Sequence, residues 1–355
     1  MKQSLEEIIK FVNDEATRTL LPLIITLFFI MVMGVIGNCL VVFIYKFKLP
    51  LTPSSLLVVY LGCNQIVDSI ICMPMDIFIL FHSYNFPDDR LCRFMQSFIF
   101  ATSTVSGLII VVIAVDHFKK ICRPLKRQFT KQDVNKIICI NIAIIFLIVP
   151  MHIFVSGVRQ VRTFHGNVTG TTCSISDKNS PVFPLAYFIF LLLVFSMLVT
   201  VFIVIYTMTI QKLRKYNKQR ELLLIGRLSR ETWLNSVRPS TTEGISESDK
   251  QNSTTSQEQC YKRYYDVTHI TLNMLCITLS WCFSFLPHFV LTFITAEIIF
   301  ERQFMHKSRD SLVNLTLNSY YINNITIPIL YIIFNRSFRQ EVMKFFKKIC
   351  FVQQM

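Results

Sequence analysis

The sequence predicts an all-α membrane protein, a bundle of seven transmembrane helices followed by an amphipathic eighth helix. Seven separate stretches, 20–45, 54–81, 94–115, 137–158, 182–210, 270–296 and 312–334, are long and apolar enough to cross a bilayer. A hydrocarbon core about 30 Å thick takes about 20 helical residues at ~1.5 Å each. Most of the seven contain no Lys, Arg, Asp or Glu, and the chain is 52% hydrophobic with 32 Phe. Its mean hydropathy is +0.47, which a soluble fold does not sustain.

Charge placement orients the bundle. The net charge of +14 over 355 residues is not spread evenly. With the N-terminus outside, the cytoplasmic segments carry Lys46 and Lys48, seven basic residues between Lys119 and Lys136, and eleven in 211–266. Five more follow residue 334. Loop Lys and Arg are retained on the cytoplasmic side. The N-terminal arm, 1–19, is balanced, with Lys2, Lys10 and Arg18 against Glu6, Glu7, Asp14 and Glu15. This pattern predicts a multi-pass plasma-membrane protein whose basic face meets anionic lipid or a cytoplasmic partner, and not nucleic acid. The first apolar run is too long for a signal-peptide core and lacks a small-residue cleavage site, so span one reads as an uncleaved signal anchor.

The cysteines fit this topology. Nine of the eleven fall in spans or on the cytoplasmic side, leaving Cys92 and Cys173 towards the oxidising compartment. Two thiols there are expected to pair, pinning the loop between spans four and five across the bundle mouth; two free thiols are the alternative. Asn167-Val168-Thr169 in the same loop is a glycosylation sequon. Asn252-Ser253-Thr254 also fits, but lies on the cytoplasmic side.

The remaining elements follow from composition. The bundle, 20–334, is one domain interrupted by the third cytoplasmic loop, 211–266. The stretch 211–230 is basic and Leu-rich and extends helix five; 236–259 is Ser-, Thr-, Glu- and Gln-rich, which reads as disorder. In the tail, 335–355, Phe338, Val342, Phe345 and Phe346 share one face with Arg336 and Arg339 nearby, as in an interfacial helix. Cys350 is a candidate palmitoylation site, with an unmodified thiol as the alternative.

Several short motifs occur in order along these spans. They are Gly37-Asn38, Leu61, Cys72-Met73-Pro74, Cys92 and, 24 residues on, Asp116-His117-Phe118 followed by Ile121-Cys122-Arg123-Pro124-Leu125. Tyr206, Phe285-Leu286-Pro287, Pro328-Ile329-Leu330-Tyr331 and Phe338 complete the series. Together they resemble the rhodopsin-like (class A) G protein-coupled receptors, closest to the peptide-receptor-like members. The resemblance implies an extracellular ligand, favouring a peptide, with a heterotrimeric G protein and arrestin as partners. Asp116, His117, Phe118, Tyr206, Trp281, Pro287, Pro328 and Tyr331 would then serve activation and coupling.

The departures from that pattern are specific. Gln65 stands where the family has its sodium-binding Asp, and Ile327 replaces the Asn before Pro328. Those changes argue against a cation site, although Ser106 remains. Asn38, Asn64, Gln65, Asp68 and Asn324 form a candidate intramembrane polar network. An acid inside a span normally faces the interior and marks function, and Asp68 has Ser69, Tyr320, Tyr321 or Asn324 as candidate partners. A structural, locally hydrogen-bonded acid is the alternative. His117 replaces the permanent cation of the family's central Arg, so coupling either persists through the basic loop or is weakened. Phe285 stands where the family has Trp, Leu198 where helix five has Pro, and Val267 where helix six has an acid. Pro287 is retained and removes a backbone donor.

By the same resemblance, Gln96, Ile99, Thr102, Ser103, Phe285, His288, Thr292, Leu317, Tyr320 and Tyr321 line the ligand cavity. Ile99 occupies the position of the amine-binding Asp in monoamine receptors, disfavouring small protonated amines. Arg159, Arg162 and His165 lie near the mouth and could attract an acidic peptide. No catalytic constellation, metal-ligand spacing or phosphate loop is present, so neither an enzyme nor a cofactor is expected. A decoy receptor without efficient coupling is the first alternative function. A transporter or channel is the second, opposed by the lack of repeat symmetry and of helices broken by paired Gly and Pro.

Overall fold

The computed structural model describes residues 2–163, 168–176, 182–237, 271–294 and 311–352. The elements are α1 (Lys2–Phe47), α2 (Pro53–Phe81), α3 (Asp89–Cys122), α4 (Lys131–Val155), the strands β1 (Ser156–Arg162) and β2 (Thr169–Ile175), and α5 (Val182–Val237). Helices α6 (Thr271–Ile294), α7 and α8 (Arg336–Val352) complete them. Helix α7 comes in pieces, Ser311–Leu317, a 3₁₀ turn Ser319–Tyr321 and Ile322–Phe334. Among the described residues six helices are long and apolar enough to cross a membrane, and α7 adds the shorter apolar stretch Ser319–Phe334. Asn167, His165, Asn252 and Val267 lie outside the described residues, as does the Cys350 side chain.

Local chemistry sets the helix starts. Thr52 caps α2 through Ser55 N, with Pro53 in the first turn, where its missing N–H costs nothing. Asp88 caps α3 at Leu91 N. Thr130 and Asp133 form a reciprocal capping box at α4, so that helix begins six residues before the apolar run and ends earlier, at Val155. The apolar pattern alone placed this span at 137–158.

Two elements go beyond what the apolar pattern assigns. The N-terminal arm is a continuation of α1, and it is packed. Asn13 Nδ2 donates to the Phe81 carbonyl (2.9 Å), while Asn13 Oδ1 accepts from Tyr84 N (3.1 Å). Val12, Ala16 and Tyr84 form a small buried cluster there, with Val161 against it. The α4–α5 connection contains an antiparallel hairpin, from Ser156 opposite Ile175 to Arg162 opposite Thr169. Backbone bonds from Phe86 N to Thr171 O (3.0 Å) and from Thr171 N to Tyr84 O (2.8 Å) attach it to the α2–α3 loop.

The main core runs through the helices and ends on Tyr331 and Phe338, both fully buried. Asn335 joins α7 to α8: its Nδ2 donates to Tyr45 OH (2.7 Å) and its Oδ1 caps Phe338 N (3.0 Å). The Phe338 ring stacks on Tyr45 at 5.8 Å, and Phe345 meets Phe43 at 5.4 Å. Gly37 permits the close approach of α1 to α7, since a Cβ there would sit 2.7 Å from Pro328 Cγ.

Candidate functional site

A polar seam joins α2, α3 and α7 inside the bundle. Asp68 is buried; Thr102 donates to its Oδ1 (3.2 Å) and Asn324 Nδ2 to its Oδ2 (2.9 Å). Asn324 also reaches Ser69 Oγ (3.2 Å), and its carbonyl accepts from Asn38 Nδ2 (2.8 Å). One turn along, Asn64 donates to Ser106 Oγ (2.7 Å), and Ser106 donates to Gln65 Oε1 (3.0 Å). The five residues expected to form a network are therefore brought together, with Thr102, Ser69 and Ser106 as bridges.

A second acid was missed by the sequence reading. Asp76 is 8% exposed, and both Tyr320 OH (2.8 Å) and Tyr321 OH (2.5 Å) donate to its Oδ2. The tyrosines expected near Asp68 thus belong to Asp76. A π turn over Asp68–Cys72 explains why. In a regular helix, residues eight apart diverge by about 80°. A π turn absorbs one extra residue, so the interval from Asp68 to Asp76 covers about two turns and returns to the same face. The one available sequence signal was a second carboxylate inside the apolar span.

The residues expected to line a ligand cavity divide into two groups. On α6 and α7, His288 and Phe285 flank Tyr320, at ring distances of 5.1 and 5.6 Å, and Tyr321 lies 4.3 Å from Tyr320. His288 Nδ1 is 2.6 Å from the Leu317 carbonyl, and Thr292 donates to the His288 carbonyl (2.7 Å). On α3, Ile99 and Thr102 are buried, Thr102 within the seam, while Gln96 and Ser103 are half-buried. A separate open cleft of about 590 Å³ lies at the hairpin end, between α1 and the end of α2. Glu6, Lys10, Asn13, Phe81 and His82 line it, so it does not coincide with the cavity expected from the sequence.

At the α8 end, Asp116 Oδ2 accepts from Ser54 Oγ (2.6 Å) and pairs with Lys120 Nζ (2.8 Å). Lys120 also contacts Ser54 Oγ. His117 turns the other way: buried, it hydrogen-bonds Thr271 Oγ1 through Nε2 (3.0 Å), linking α3 to α6. Phe118 is half-buried. Tyr206 OH lies 2.9 Å from the Met274 carbonyl and 2.7 Å from Thr278 Oγ1, linking α5 to α6. Higher in α6, Trp281 packs on Phe285 (4.9 Å), Phe195 (5.7 Å) and Phe202 (6.1 Å). Half-buried Pro287 lies in the same helix, and buried Pro328 sits in α7 near Tyr331.

The mouth is held by Cys92–Cys173, which ties β2 to the first turn of α3. Asp89 adds to this, accepting from Val158 N (2.8 Å) and from Arg93 Nε (3.2 Å), while Arg93 Nη1 donates to the Ile153 carbonyl (2.8 Å).

A seven-helix membrane bundle with a disulfide-held hairpin at one end and a short helix at the other has the architecture of a transmembrane receptor. The sequence profile of the 7 transmembrane receptor (rhodopsin family) matches residues 37–331, and the chain belongs to that family. It is also similar to an Allatostatin-A receptor from Bombyx mori, 25% identical over 167 residues, which is 44% of this chain and 45% of that relative. The alignment thus spans less than half the length of either protein. The protein is a receptor and not an enzyme.

Proposed function

We propose that this receptor sits in the plasma membrane with its N-terminus and hairpin outside, binds an extracellular peptide, and promotes nucleotide exchange on a heterotrimeric G protein. The observation that carries the coupling half is the His117–Thr271 bond, which closes α3 against α6 at the basic end of the bundle. A ligand that moves α6 breaks this bond and exposes the surface around Asp116 and Phe118. A neutral hydrogen bond contributes about 1 kcal/mol, small enough for ligand binding to overcome.

The peptide half is supported by the likeness to a receptor named for allatostatin-A and by the open cleft beside the hairpin. Arrestin and anionic lipid are further partners at the basic end. A second reading, a decoy that binds without coupling, is favoured by His117 itself, which is buried and directed at Thr271.

The test is peptide-stimulated nucleotide exchange in cells expressing wild type or His117→Arg at matched surface levels. Response by the wild type supports a coupling receptor. Response by His117→Arg alone supports the decoy, and silence from both across a peptide library counts against the peptide ligand.

A further inference from the structure

Asp68 and Asp76 lie on one face of α2, yet their surroundings differ. Both oxygens of Asp68 accept hydrogen bonds. At Asp76 both donors converge on Oδ2, and Oδ1 has no hydrogen-bond partner among the described residues. No Lys, Arg or His among the described residues pairs with Asp76, and the seven apolar stretches contain no Lys or Arg that could supply a cation. Burying an unpaired carboxylate is costly, and a neutral donor on the open oxygen would satisfy its lone pairs without compensating its charge.

The surroundings indicate where a compensating cation would come from. Tyr320, which holds Asp76, packs against His288 and Phe285, the aromatic wall of the expected ligand cavity. On α3 the residue expected to face the cavity, Ile99, is buried and apolar and offers no charge. Arg159 and Arg162 on the hairpin are already engaged within the protein.

We propose that Asp76 is the anionic anchor of the ligand cavity, taking a guanidinium or ammonium group of the ligand on Oδ1 while Tyr320 and Tyr321 hold Oδ2. The ligand class is therefore cationic, such as a peptide bearing Arg or Lys, or another organic cation with an apolar body to lie on the aromatic wall. The anchor rests on the receptor reading of this cavity. It does not require the ligand to be a peptide.

The test uses phenylguanidine and its neutral counterpart phenylurea as probes on purified full-length receptor, with thermal unfolding as readout. Phenylguanidine is expected to stabilise the wild type in a saturable way, and phenylurea is not. Asp76→Asn keeps an acceptor for both tyrosines, and should weaken the apparent affinity for phenylguanidine on the order of tenfold or more. Asp76→Glu should retain most of it. Equal affinity in wild type and Asp76→Asn, equal effects of the two probes, or no stabilisation of the wild type would each overturn the proposal. If Asp76→Asn does not fold, the wild-type comparison of the two probes and the Asp76→Glu result still decide. A receptor that binds phenylguanidine through Asp76 but answers no peptide would uphold the anchor and count against the peptide ligand alone.

Discussion

The α1–α2–α7 side of the bundle and the α5–α6 side are held together by different forces. On the first, Asn38, Ser69, Asp68 and Asn324 form a connected set of directional hydrogen bonds that extends through Thr102 to α3. On the second, Trp281, Phe195, Phe202, Phe285 and Phe289 pack as rings, and the hydrogen bonds run at its margins, from Tyr206 to Thr278, from His117 to Thr271 and from Ser319 to the Ser284 carbonyl. Hydrogen bonds between buried groups fix one register, because a slip leaves donors unpaired. Ring contacts tolerate sliding and rotation at small cost. The first side is thus fixed in register as a frame, and the second is packed chiefly through rings.

The largest effects should come from breaking the frame. Asp68→Ala removes the carboxylate that Thr102 and Asn324 share, leaving Thr102 the Ile99 carbonyl and Asn324 Ser69 Oγ. Two hydrogen bonds to a carboxylate are lost, about 1.5–3 kcal/mol each, visible as a lower unfolding temperature in detergent and reduced surface expression. Asp68→Asn should be much milder, and a similar loss from both would show that charge, not network geometry, holds the frame.

Cys92→Ser releases the hairpin from α3 and should cost about 2–4 kcal/mol, seen as earlier unfolding and as loss of the gel-mobility difference between reduced and non-reduced receptor. Loss confined to the mouth, with the seam still protected from hydrogen exchange, would separate the two regions further.

Gly107→Ala probes the ring-packed side, at the contact of α3 with Trp281. A Cβ there would lie 2.6 Å from Trp281 Cζ2, so the indole must shift. The expected cost is about 1–3 kcal/mol, with a change in Trp fluorescence. The smallest effect belongs to His117→Ala, about 1 kcal/mol of stability, accompanied by raised basal nucleotide exchange. Unchanged basal exchange would mean that the α3–α6 bond does not hold the resting state.

Much of the frame was legible in the residues. Asn38, Asn64, Gln65, Asp68 and Asn324 are polar groups in apolar spans, and such groups must find one another when no water is available. Asp76 was not legible, because a regular helix turns it away from Asp68; only the π turn restores the shared face. The helical arm was also hidden. Its mixed charges resemble a solvated segment, and its stability comes from Asn13, Val12 and Ala16 packing on Tyr84 and the end of α2.

The sequence by itself determined the membrane bundle, the number of apolar spans and the choice of Cys92 and Cys173 as partners. Hydropathy and compartment chemistry act on composition and order, which the chain states directly. Only the tertiary structure decided which acid each tyrosine serves, that His117 faces Thr271 while Asp116 faces Ser54 and Lys120, and that the N-terminal arm continues α1. Those outcomes depend on rotations of tens of degrees within helices and on contacts between residues as far apart as Asp76 and Tyr321. Local irregularities such as the π and 3₁₀ turns set those rotations, and a regular helical spacing read from the sequence does not contain them.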